Sequence, residues 1–275
     1  MHITQGLRQA VVAGVLVAVT AISVSAQTSL ASNDHVTTVP STTPAATKPT
    51  IVLIHGAWAD GTSWQHVIPL LERDGYTVVA AQIPLSSLAD DIASARRVIR
   101  DQKGPVVLAG HSYGGMVITG AAVGEANVRA LVFITAFAPD AGEALGPSSA
   151  KFAPAAGLGA LAPDAGGYLY IDQAKFHDAF CKDVPAAEAN VMAVVQKPLA
   201  AAIFDAKLDA AAWKTIPSWY LVSQEDQMIN PDQERFYAKR MKATTIEVKS
   251  SHASLVSHPV ETTKLIEDAA RAAAM

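Results

Sequence analysis

Pro105-Val106-Val107-Leu108-Ala109-Gly110-His111-Ser112-Tyr113-Gly114-Gly115 is the stretch on which the reading of this chain turns. Its first five residues form a short apolar run ahead of a glycine turn, as expected of a strand buried on both faces of a sheet. A helical pattern begins near Met116. Between strand and helix sits G-x-S-x-G, which occurs by chance in many chains but here lies in the context that gives it meaning. The turn is so tight that the positions flanking it must lack side chains, hence Gly110 and Gly114. Ser112 is thereby lifted above the sheet at a helix N-terminus, where the dipole favours a developing negative charge.

The same apolar signal recurs at Ile51–Ile54, Thr77–Ala81, Ala130–Thr135, Ser218–Val222 and Thr244–Val248. Trp64, Val67, Ile68, Leu70 and Leu71 recur at helical spacing before Gly75, as do Leu88, Ile92, Ala95, Val98 and Ile99 before Gly104. Two later helices are expected at about 232–241, after Pro231, and at Pro259–Ala273. This alternation predicts an α/β fold with a mostly parallel sheet of about six strands flanked by helices.

One segment interrupts it. From Pro139 to Gly167 there are four Pro and six Gly, and no strand or helix pattern survives. Asp172 to Trp213 is Ala-rich and reads as short helices punctuated by Pro185 and Pro198. An insertion at about 139–213 is expected to form a helical cap over the sheet, because long insertions in compact domains are usually functional. The competing reading is a merely structural excursion.

The first 49 residues stand apart. Arg8 precedes the 13-residue apolar stretch Ala10–Ile22, and Val24-Ser25-Ala26 offers a small-residue cleavage site. Residues 1–26 are therefore expected to be a signal peptide directing a secreted or periplasmic protein. Thirteen helical residues rise only about 20 Å, short of the roughly 30 Å hydrocarbon core, although an uncleaved anchor is the alternative. Residues 27–49, rich in Ser, Thr, Pro and Ala, read as a disordered linker. The domain is expected to run over 50–275.

Composition removes other classes. Half of the residues are hydrophobic and 17% are charged, too apolar for a disordered chain. Twenty-one basic against 25 acidic residues leave no electrostatic footprint for nucleic acid. The single cysteine, Cys181, excludes an internal disulfide and a cysteine-rich metal site, and is expected to be a buried apolar residue of the cap. No H-E-x-x-H, P-loop or G-x-G-x-x-G after a strand is present, so no metal or cofactor is expected.

His55-Gly56-Ala57-Trp58 after the first strand, together with Gly110–Gly115, resembles the α/β-hydrolase superfamily, and more narrowly its small esterase and hydroxynitrile-lyase-like branch. The resemblance extends from Thr50 to the C-terminus, including Asp226, the Ser250-Ser251-His252 segment and His258-Pro259. It implies a triad in the order nucleophile, acid, histidine. A serine hydroxyl needs a base to take its proton, and the base needs a third group to fix its tautomer. Ser112 is then the nucleophile. Asp226 matches the position of the acid, with Glu225 and Asp232 as rivals that spacing alone does not separate. His252, just beyond the last strand, is the base, whereas His258 marks the start of the final helix. The backbone N–H of Tyr113, next after the nucleophile, is one oxyanion donor, and the family match places the second at Ala57. His55 is expected to shape the oxyanion loop and His111 to pack beneath the elbow, while His66 and His177 have no partner motif. Trp58, Trp64, Phe152, Tyr168, Phe176, Met192 and Trp213 are candidate pocket residues.

The implied activity is hydrolysis of small to medium carboxylic esters without a cofactor. Rival readings are a hydroxynitrile lyase, a cofactor-free haloperoxidase using the same triad, and a receptor-like binding module with vestigial hydrolysis. The lyase type is expected to carry a lysine leading to the histidine, and Lys249 is the candidate. Epoxide hydrolases and haloalkane dehalogenases need Asp where Ser112 stands.

Overall fold

The structure, a computed structural model, describes residues 48–274; the segments read as signal peptide and linker lie outside the described residues except for Lys48 and Pro49. The chain opens with β1 (Thr50–Ile54), α1 (Ile68–Arg73), β2 (Val78–Ala81), α2 (Leu88–Asp101), β3 (Val106–Ser112), α3 (Tyr113–Ala121) and β4 (Val128–Ala136). There follow α4 (Leu145–Ser149), β5 (Leu161–Pro163), β6 (Tyr168–Ile171), α5 (Gln173–Phe180), α6 (Ala186–Val195) and β7 (Leu199–Ala200). The last part holds β8 (Ser218–Ser223), α7 (Pro231–Met241), β9 (Thr244–Val248), α8 (Ser254–Ser257) and α9 (Pro259–Ala273).

Six strands pair side by side in the order β2-β1-β3-β4-β8-β9, every ladder parallel. The interior neighbours β1 and β3 show why such sequences are continuous apolar runs: Ile51–Ile54 and Val106–Ala109 are all fully buried. With helices on both faces, no residue of these strands has a solvent side to make polar. The helices show the complementary pattern. In α2, Leu88, Ala95 and Ile99 turn inward, while Ser87 caps the first turn by accepting from the Asp90 N–H at 3.1 Å. Asp90 and Asp91 at its start and Arg100 at its end match the helix dipole. Helix α3 is buried over its whole length and therefore carries no polar stripe.

All six strands of the main sheet lie where the apolar runs placed them, within a few residues at their ends. The stretch from Pro139 to Trp213 departs more from its reading. Helices α5 and α6 occupy the Ala-rich part, with Pro185 directly before α6. The unpatterned part, however, supplies α4 and β5, and a three-stranded antiparallel sheet β5-β6-β7 forms around Tyr168–Ile171. These strands are two to four residues long and one contains Pro163, so they are too short to show an alternation. Cys181, between α5 and α6, is fully buried, and burial pushes its thiol up to about 12.

The stretch grips the loops that leave the main sheet at its carboxyl edge. The Trp58 indole N–H donates to Leu169 O at 2.9 Å, the Ala200 N–H to Leu85 O at 3.0 Å, and the Gly157 N–H to Gln227 O at 2.7 Å. The Asp183 carboxylate accepts from both the N–H and the hydroxyl of Ser251, immediately before His252.

Candidate active site

Ser112 ends β3 and precedes the first residue of α3 with φ of 53°, a conformation that L-residues avoid unless the surroundings enforce it. The enforcement is steric. A Cβ on Gly110 would lie 2.5 Å from the Gly114 carbonyl oxygen, and one on Gly114 would lie 2.7 Å from the carbonyl oxygens of Ile54 and His55. Only hydrogen fits at either position. Trp58 (φ 58°) and Thr135 (φ 48°) are also left-handed, so three of the five such non-glycine residues among those described lie around this turn.

Asp226 lies three residues beyond β8 and His252 four beyond β9, so the same edge of the sheet delivers both to Ser112. The Ser112 hydroxyl donates to His252 Nε2 at 2.8 Å, and His252 Nδ1–H donates to Asp226 Oδ2 at 2.7 Å. The exposures of Ser112, His252 and Asp226 are 2%, 0% and 4%, so both bonds form away from bulk water. Asp226 Oδ1 accepts from the N–H groups of Met228 (2.6 Å) and Ile229 (3.1 Å), which fixes the plane of the carboxylate. The rival acids point elsewhere: Glu225 pairs with Lys249 at 3.5 Å and Asp232 with Arg235 at 2.9 Å, both at the surface. His258 precedes α9 and lies 3.7 Å from Asp183.

Two features hold the histidine loop that the sequence did not disclose. The His111 ring donates through Nε2–H to the His252 carbonyl at 2.8 Å, and the two rings lie 4.9 Å apart. His111 thus does more than pack; its complete burial drives its pKa well below the usual imidazole value and keeps it neutral. The other is a row of buried hydroxyls: Thr135 bonds Ser223 at 2.6 Å and Ser254 at 2.7 Å, and Ser223 bonds Ser250 at 2.8 Å. It ties the ends of β4 and β8 to both sides of His252. Scattered Ser and Thr carry no spacing signal that reveals such a row.

The loop after β1 meets Ser112 from the other side. A Cβ on Gly56 would lie 2.8 Å from the Ser112 Cβ, so the loop carrying Ala57 rests against the serine. His55 fixes that loop, donating through Nδ1–H to Gly56 O at 2.9 Å and accepting at Nε2 from the Ile83 N–H at 3.1 Å. Desolvation lowers its pKa to about 4. Tyr113, first residue of α3, has its N–H at the open helix start, while its phenol donates to the buried Asp91 at 2.7 Å.

Two cavities are lined by near neighbours of Ser112, Asp226 and His252, though by none of the three themselves. One of about 120 Å³ is lined by Trp58, Phe176, Phe180, Met192, His111 and Ala253 among others, on the side of His252. Another of about 430 Å³, lined by Phe137, Phe152, Leu158 and Met228 among others, opens on the side where the Phe137 N–H bonds the Ser112 carbonyl at 3.1 Å. Of the candidate pocket residues, Trp58, Phe152, Phe176 and Met192 line these cavities. Trp64 is core, Trp213 donates to Pro139 O at 3.1 Å beneath Arg240, and Tyr168 lies in β6. His66 pairs with Glu188 at 2.7 Å and His177 bonds Val184 O at 2.8 Å. Among the described residues no group of three or more His, Cys, Asp or Glu is poised to hold a metal, and no helix is long and apolar enough to cross a membrane.

Residues 51–265 match the family model described as the alpha/beta hydrolase family. A carbendazim hydrolyzing esterase of Nocardioides sp. (strain SG-4G) is 36% identical over 107 residues, covering 34% of this chain and 44% of that protein. An alpha-hydroxynitrile lyase of Arabidopsis thaliana is 31% identical over 103 residues, covering 32% of this chain and 40% of the lyase. The chain thus spans less than half the length of these two relatives. Among solved structures, a pyrethroid hydrolase from Sphingobium faniae JZ-2 superposes with a TM-score of 0.70 at 22% identity, covering 82% of this chain and 98% of that one.

Proposed function

The chain belongs to the alpha/beta hydrolase family, and from that premise we propose that it is a secreted or periplasmic serine hydrolase of carboxylic esters, acting on small to medium substrates. The observation that carries this reading is the unbroken pair of bonds from Ser112 through His252 to Asp226 in a site closed to bulk water. Relatives named as a carbendazim hydrolyzing esterase and a methylesterase support ester hydrolysis.

Ser112 Oγ attacks the ester carbonyl carbon as its proton passes to His252 Nε2. The oxyanion that forms is held by the N–H groups of Tyr113 and Ala57, the first aided by the N-terminal end of α3. Asp226 keeps His252 in the tautomer that presents Nε2 to the serine and stabilises the imidazolium. Collapse of the tetrahedral adduct expels the alcohol, which takes the proton from His252, and leaves an acyl group on Ser112. Water then repeats the sequence with His252 as base, releasing the acid and restoring the hydroxyl. No step calls for a metal or cofactor.

Lys249 weighs against the lyase reading: its side chain is 77% exposed and turns to Glu225. A panel of p-nitrophenyl esters from acetate to laurate tests hydrolysis directly, with turnover expected on at least the short and medium members. Labelling of Ser112 by a fluorophosphonate with no ester turned over counts for the lyase, haloperoxidase or binding-module readings instead. Export is tested by fractionating cells that express the full chain and sequencing the mature N-terminus. A start at Gln27 outside the cytoplasm supports it, and an intact cytoplasmic chain opposes it.

A further inference from the structure

Glu234 is a carboxyl group in the interior that the mechanism above leaves idle. It projects from α7 and is fully buried. Its Oε2 accepts from the Ser223 N–H at 3.1 Å, at the end of β8. Its Oε1 is enclosed and meets no protein donor. The Asp226 carboxylate bears on it instead: the Asp226 N–H bonds the carbonyl of the same Ser223 at 3.3 Å, and the negative charge of Asp226 pushes the Glu234 carboxyl up. An enclosed carboxylate oxygen facing a second carboxylate is untenable when both are ionised. Of the two, Asp226 is the better-served acceptor: Oδ1 accepts from two backbone N–H groups and Oδ2 from His252, whereas Glu234 accepts one N–H in all.

We propose that Glu234 is a positioning residue for the triad, held as a neutral carboxylic acid whose Oε1–H donates to the Asp226 carboxylate while Oε2 accepts from the Ser223 N–H. The proposal rests on Asp226 serving as the acid of the triad. It completes the ring of donors around that carboxylate: two backbone N–H groups, the imidazole and the Glu234 acid. Asp226 is thereby kept ionised and oriented through the catalytic cycle without a second negative charge behind the imidazolium. The other charged or titratable groups around Glu234 fit a neutral acid. Tyr220 on β8 is buried and un-ionised, and Arg235, next to it on α7, pairs outward with Asp232 and Glu247. Burial and the Asp226 charge both push the Glu234 carboxyl well above the usual carboxylate range.

The test compares Glu234→Gln with Glu234→Leu in the full-length protein, using Ser112→Ala as the background for triad-dependent turnover. A glutamine amide reproduces both bonds, so E234Q is expected to keep kcat within about threefold of wild type with an unshifted pH profile. Leucine fills similar volume and makes neither bond; E234L is expected to lose about 10- to 100-fold in kcat, the usual scale for removing the support of a functional ligand, with KM little changed. Infrared difference spectra should show the C=O stretch of a protonated carboxyl in the wild type that E234Q lacks. An E234Q enzyme as slow as E234L, a shifted acid limb in E234Q, a missing carboxyl band, or full kcat in E234L would each overturn the proposal. Should E234L fail to fold, E234Q and the infrared band decide the matter alone. Turnover by Ser112→Ala at the wild-type rate would instead break the triad reading, leaving the infrared result to report on Glu234 separately.

Discussion

The carboxyl edge of the main sheet and the stretch 139–213 that packs on it obey different physical constraints. At the edge, Ser112, His252 and Asp226 are almost fully enclosed, and the backbone is pressed together so closely that Gly110 and Gly114 admit no Cβ. In the stretch, α6 leaves Val191, Val194 and Val195 exposed at 61%, 68% and 55%. One region is determined by contact at every atom. The other buries residues such as Phe176, Phe180 and Cys181 in the same core and is tied by hydrogen bonds such as those from Trp58 to Leu169 and from Ser251 to Asp183, but leaves one helix face open. On the proposed reading, the first region carries the chemistry, which tolerates little change, and the second shapes the pocket, which tolerates much.

Substitutions can break or sharpen this contrast. After removal of the Ser112 hydroxyl itself, the largest effect is expected at Asp226→Asn, which keeps the shape but lets His252 adopt the wrong tautomer; kcat should fall about 10⁴-fold with the fold intact. Steady-state ester kinetics and circular dichroism check both halves of that statement, and a loss below tenfold would detach Asp226 from the chemistry.

Next in size is an acid sensitivity confined to the edge. His55 has its pKa lowered from 6.5 to about 4 by burial. Above pH 6.5 it is neutral in folded and unfolded chains alike and contributes no slope. As pH falls from there towards 4, the unfolded chain takes up a proton that the folded chain refuses, so stability falls, by about 3 kcal/mol in all. His111 acts in the same direction. Denaturant titrations between about pH 6.5 and 5, above the range where carboxylates titrate, should show this slope and its reduction in His55→Gln. A flat profile in the wild type would contradict it.

A smaller loss is expected from Gly114→Ala. Alanine favours helix, yet its Cβ would lie 2.7 Å from two carbonyl oxygens. Thermal or denaturant unfolding should show a cost of about 1–3 kcal/mol, and a gain in stability would mean that the elbow is looser than described. At the far end, Val194→Thr on the exposed side of α6 should change stability by less than about 0.5 kcal/mol. A larger loss would show that this helix face is covered.

The same contrast governs what the sequence discloses. Runs such as Ile51–Ile54 and Val106–Ala109 are legible because burial on both faces leaves no choice but continuous apolar residues. Ser112 is legible because the steric demand of the turn is met by glycines within four positions of each other. Asp226 and His252 are far apart along the chain and are placed by the order of elements and by resemblance; their spacing alone carries nothing. The small sheet β5-β6-β7 was missed because its strands are too short for a period. In α6 apolar residues lie all round, so no stripe says which side faces inward. His111, the hydroxyl row and Glu234 escape for a further reason: a buried polar side chain is intelligible only through its partners, which lie up to 141 positions away.

The most direct measurement is to treat the purified protein with a fluorophosphonate, locate the adduct by peptide mass, and compare ester turnover with that of Ser112→Ala. A single stoichiometric adduct on Ser112, with kcat reduced about 10⁴- to 10⁶-fold in the variant, is the predicted result. An adduct elsewhere, or a Ser112→Ala protein that turns over ester at the wild-type rate, would contradict it.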